Sequence, residues 1–92
     1  MTETDILNGV HEFLKIRHMS THLYAGGATP YVEVIRRKHI LQLTICGDMC
    51  VMHVFKLNGS ADYDLIEQPK FDLNDPSSLQ NIYEYVSSKK RR

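Results

Sequence analysis

The sequence predicts an α+β domain: an N-terminal helix, an antiparallel β-meander of four to five strands and a C-terminal helix, with both helices on one face of the sheet. Three observations carry this prediction. Apolar residues recur at helical spacing near both ends of the 92-residue chain. Between them, short β-branched and aromatic runs are broken by Gly26-Gly27, Gly47-Asp48 and Asn58-Gly59, dipeptides suited to hairpin turns. Each helical stretch is apolar on one side only, so each must cover a sheet.

The first helix reads from residue 3 to 17. Ile6, Val10, Phe13 and Arg17, joined by Leu7 and Leu14, keep a spacing of three to four, and Thr2 or Thr4 can cap ahead of Asp5. Gly9 within it costs roughly 1 kcal/mol against alanine. The last helix opens with Asp75-Pro76, an N-cap followed by the first helical position, which tolerates proline. Leu79, Ile82, Tyr83 and Val86 form its apolar stripe.

Strand register follows from the turns. Gly47-Asp48 suits a two-residue hairpin with glycine first, which pairs Cys46 with Met49 and sends Cys46 and Cys50 to opposite faces. A shared metal or disulfide is then out of reach, and CGDMC reads as a turn. A zinc site built from both cysteines and His53, with His39, would need a three-residue loop and an unusual ligand spacing. Two further turns, a loop Arg36-Arg37-Lys38-His39 joining Ile35 to Ile40 and a two-residue Asn58-Gly59, extend the register. Val32, Val34, Leu41, Leu43, Ile45, Cys50, Met52, Val54, Tyr63 and Leu65 then share the face that the helices cover.

The opposite face receives Tyr31, Ile35, Ile40, Val51, Phe55 and Ile66, crossed by a polar row of Glu33, Gln42, His53 and Asp64. An uncovered sheet face is ordinarily polar, so Tyr31, Ile35, Ile40, Val51 and Phe55 are expected to form an apolar interface. A loop, the first strand or residues 67–74 folding over it would be the alternative, and a symmetric dimer through Ile35, Ile40 and Phe55 would use the same patch. His53 beside Asp64 has the parts of a general base and its orienting carboxylate, but the row offers no nucleophile. Catalytic residues, metal ligands and cofactors are therefore not expected.

Net charge is zero, yet it is segregated. Residues 1–14 carry −3, residues 15–56 carry +4, residues 57–88 carry −5 and the tail Lys89-Lys90-Arg91-Arg92 carries +4. Such a chain has a polar field that can steer a partner. Arg36, Arg37, Lys38 and His39 at one hairpin tip, with Lys89, Lys90, Arg91 and Arg92 in the tail, are the expected contacts with a protein or with nucleic-acid phosphates. The expected organisation is a single domain over 1–88 followed by a basic tail over 89–92. With 42% hydrophobic and 24% charged residues, no apolar run of membrane-spanning length, an acidic N-terminus and two cysteines, a cytoplasmic address without membrane contact is expected.

These features suggest a small non-catalytic binding protein, an adaptor or inhibitor that docks on a protein or protein–RNA complex through the basic hairpin and the apolar face. Small single domains that work this way include phage-encoded inhibitors of bacterial defence complexes, anti-CRISPR proteins among them, although no motif here matches one. Direct RNA binding is the alternative. The order α–β–β–β–α resembles the double-stranded-RNA-binding domain in topology, which would imply basic residues at the start of the second helix gripping phosphates. Here that helix begins Asp75-Pro76-Ser77-Ser78, with no Lys or Arg from there until Lys89.

Overall fold

Thr2 and Asp5 start the first helix by capping each other's backbone. Asp5 N–H donates to Thr2 Oγ1 at 3.1 Å and Thr2 N–H donates to Asp5 Oδ2 at 3.2 Å, the reciprocal bonds of a capping box. These bonds from Thr2, backbone first and then side chain, hold the Asp5 carboxyl below its ordinary range. The structure, a computed structural model, describes residues 2–59 and 61–89. Helix α1 covers Glu3–Lys15, two residues shorter than its sequence spacing predicts, because the chain turns out of it at once. His18 adopts a left-handed φ of +65°, and Met19 N–H donates back to Leu14 O at 3.1 Å.

Six strands follow: β1 (Ser20–Tyr24), β2 (Tyr31–Ile35), β3 (His39–Cys46), β4 (Met49–Asn58), β5 (Asp62–Glu67) and β6 (Lys70–Asp72). They make one antiparallel sheet in the order β1-β2-β3-β4-β5, and β6 also pairs with β4, beyond β5 along its length. Helix α2 (Ser78–Ser88) returns to the same face as α1. It begins later than the Asp75-Pro76 signal suggests. Asp75 instead closes a preceding turn, its Oδ1 accepting from Ser77 N–H at 2.8 Å and its carbonyl from Ser78 N–H at 3.0 Å. Ser77 is the N-cap, without a side-chain cap bond.

The register of the β2–β3 and β3–β4 hairpins agrees with the sequence reading. Cys46 pairs with Met49 around Gly47-Asp48, with Gly47 at a left-handed φ of +61°, and Val34 pairs with Leu41 and Val32 with Leu43. Helix side chains Leu7, Val10, Leu14, Ile82 and Val86 meet Val32, Val34, Leu41, Leu43, Cys50, Met52 and Val54 in one core, all essentially sealed from solvent. Fully burying one such aliphatic side chain is worth about 1.5–3 kcal/mol.

The β4–β5 hairpin departs from expectation. Asn58 pairs with Asp62, so three residues, not two, lie between the strands, and a bulge at Val54/Phe55 shifts the register again. Leu57 therefore pairs with Tyr63 and Phe55 with Leu65, which moves Tyr63 and Leu65 off the covered face; they are 46% and 45% exposed. Asp64 pairs with Lys56 instead of facing His53. A single added loop residue inverts the side chains that follow it as far as the bulge, since the strand period is two.

Candidate functional site

The sheet has two unlike faces. Alternation places Ser20, His22 and Tyr24 of β1 beside Tyr31, Glu33 and Ile35 of β2, then Ile40, Gln42 and Thr44 of β3, then Val51, His53 and Phe55 of β4, with Tyr63 and Leu65 at the far side. Both helices lie on the other face. The apolar residues Tyr31, Ile35, Ile40, Val51 and Phe55 all sit on this open side, where β1 and β6 extend the sheet instead of folding across it. Tyr24 and Ile35 are 44% and 42% exposed. Ile66 is the exception to the expected set. As the extra residue of the bulge it lines a separate cavity of about 250 Å³ with Lys56, Asn58 and Asp64.

Across the centre runs a polar row, Glu33 paired with Gln42 and Gln42 with His53. Beside it, Glu33, Ile40, Gln42, Phe55 and Tyr63 shape a shallow hollow of about 200 Å³. Tyr24 and Tyr31 stack with ring centroids 4.9 Å apart, and the Tyr24 hydroxyl donates to Glu33 Oε1 at 3.5 Å. The adjacent Glu33 carboxylate pushes the Tyr24 phenol up from its ordinary pKa. Aromatic rings that keep a polar edge are the side chains best suited to a wet, reversible contact.

The His53–Asp64 pair does not form. Asp64 lies on the Lys56 side of its strand and accepts from Asn58 Nδ2 at 2.8 Å, while His53 faces the open side. Cys46 is exposed and Cys50 buried on the opposite face, where burial pushes its thiol up to about 12. Among the described residues no group of three or more His, Cys, Asp or Glu is arranged to hold a metal, and no helix is long and apolar enough to cross a membrane.

The basic hairpin divides into two parts. Arg36 N–H donates to His39 O at 2.9 Å, so the free loop is Arg37-Lys38, and both are exposed. Arg36 instead turns toward the helix layer, where Nη1 lies against the Met19 sulfur. His39 is a correction to the expected contact set: at 3% exposure it is buried, because it shares the core side of β3 with Leu41. Burial first, then Lys89 and Lys56, lowers its pKa. Of the tail, Lys89 ion-pairs with Glu67 at 2.7 Å. Glu67 also accepts from the Tyr85 hydroxyl, and these two donors hold its carboxyl low. Lys90, Arg91 and Arg92 lie outside the described residues.

Sequence reasoning did not assign Tyr24, His22, Tyr63 or Leu65 to the open face. The alternation of His22 and Tyr24 carried the signal for the first strand, while Tyr63 and Leu65 depended on a loop length that the Asn58-Gly59 dipeptide misstates. When the chain is compared with protein-family models, with curated proteins and with solved structures, none of them matches it.

Proposed function

We propose that this is a non-catalytic binding protein, an adaptor or inhibitor that docks through the open face of its sheet on a protein or on the protein part of a protein–RNA complex. One observation carries the reading: a sheet face opposite both helices presents Tyr24, Ile35, Tyr63 and Leu65 at 42–46% exposure around a polar row. Large exposed apolar surface is characteristic of contact sites, and interfaces are enriched in tyrosine and phenylalanine.

Electrostatics favours protein over nucleic acid as the main contact. Glu33 stands on the face and the row it forms with Gln42 and His53 contains no Lys or Arg, an arrangement that offers phosphates little. Arg37 and Lys38 lie at the rim, beyond Ile35 and Ile40, where they meet acidic side chains or phosphates bordering the docked surface. The stacked Tyr24–Tyr31 pair is what a direct RNA-binding reading would use, as a platform for unpaired bases.

Affinity capture from the native lysate, with and without nuclease, tests this, followed by titration of the purified captured protein. The expected result is saturable binding that survives nuclease and is lost in Phe55→Asp, a variant whose fold is checked by its urea midpoint. A catch that disappears with nuclease would favour RNA. Sedimentation showing a stable dimer that Phe55→Asp dissociates would assign the face to a second copy.

A further inference from the structure

Where the ends of α1 and α2 meet the β2–β3 hairpin, Arg17, His18, Met19, Arg36, Tyr83 and Ser87 line a cavity of about 460 Å³. It opens on the helix side of the sheet, away from the docking face, and does not depend on that reading. Two permanently charged guanidiniums share it. Among the described residues neither has a carboxylate within ion-pairing distance.

Each arginine is only partly used. Arg17 Nη1 donates to Phe13 O at 3.0 Å, and its guanidinium stacks 3.5 Å above the Phe13 ring and 5.8 Å from Tyr83. That accounts for the orientation of Arg17 and leaves most of its donors open. Arg36 gives Nη1 to a thioether sulfur, a weak acceptor, and its buried Nε has no partner. Ser87 Oγ, in the last turn of α2, is buried and unpartnered as well. Buried donors without acceptors are costly, and here three polar side chains with spare capacity surround one opening.

We infer that this cavity binds a small phosphate ester. Paired guanidinium forks match the oxygens of a phosphate group in number and geometry, and each N–H bond to an anion is stronger than a neutral one. The Ser87 hydroxyl and the His18 ring add further donors. Met19 and Tyr83 form a less polar wall for the group that carries the phosphate, in a cavity of the size that small-molecule sites occupy. His18 keeps a left-handed backbone, where glycine would be the relaxed choice, as residues at binding sites sometimes do.

The test is an amide-resolved NMR titration of the whole protein at constant ionic strength with adenosine 5′-monophosphate, inorganic phosphate and adenosine. Saturable shifts at Arg17, His18, Arg36 and Ser87 are expected with the monophosphate, weaker ones with inorganic phosphate and none with adenosine. Arg36→Gln and Arg17→Gln should each weaken binding about ten- to a hundredfold, from the loss of charge-assisted bonds. Arg36→Lys, which keeps the charge without the fork, should fall between, and Arg37→Gln at the exposed tip should match the wild type. The inference is overturned by no saturation up to on the order of 10 mM. It is equally overturned if Arg37→Gln weakens binding as much as Arg36→Gln, or if both cavity variants, with wild-type urea midpoints and dispersed spectra, bind unchanged.

Discussion

Leu41 and Ile40 are neighbours in one strand, yet one is sealed in the core and the other lines an open hollow. The same contrast runs through the sheet: Val32, Val34, Leu43, Met52 and Val54 face two helices, while Tyr31, Ile35, Val51 and Phe55 lie on the face that no helix among the described residues covers. One face has satisfied its apolar surface and the other has not. The comparison separates residues that hold the fold from residues left free to meet something else, although their chemistry is nearly identical.

Truncation gives the largest test of that division. Leu43→Ala is expected to cost about 2–5 kcal/mol of unfolding free energy, as cavity-forming substitutions in tight cores do. Ile35→Ala on the open face should cost under about 1 kcal/mol in the same urea titration. Equal losses would mean that the open face is covered in solution, by a second copy of the chain.

Charge sharpens the comparison next. His39 is buried on the core side with Nδ1 unpartnered, and its folded pKa is lowered by burial. A group with a lowered folded pKa supports the fold while neutral. Its contribution is intact above the unfolded value near 6.5 and is lost as pH falls below it toward the folded pKa, by up to about 1.4 kcal/mol per pH unit. His39→Leu should therefore flatten the decline in stability below about pH 6.5.

Two smaller effects fall on α1. Thr2→Ala removes a reciprocal cap and should cost about 1 kcal/mol. His18→Gly should stabilise by about 1 kcal/mol or less, since glycine adopts the left-handed conformation without strain. If binding of the monophosphate falls while stability rises, the His18 ring is used by the cavity and the strained backbone serves it.

Much of this architecture is legible in the residues alone. The spacing of Leu7, Val10 and Leu14, the Gly47-Asp48 turn and the alternation through Val32, Val34, Leu41 and Leu43 are local signals, and local geometry obeys them because the side-chain periods of helix and strand are fixed. The same alternation puts Ile35, Ile40 and Phe55 on the face away from the helices. Tertiary structure decided the rest. Whether the Asn58-Gly59 hairpin closes with two residues or three depends on how β5 meets β4, and that one residue sends Tyr63 and Leu65 outward and parts Asp64 from His53. His39 reads as one more basic group in its loop, yet the hairpin's closure at Arg36 and His39 turns its ring inward. Arg17, Arg36 and Ser87 are far apart in sequence, and only the convergence of two helix ends on one hairpin brings them around a common cavity. Contacts between distant segments leave no period in the chain, so they emerge only when the packed elements are in place.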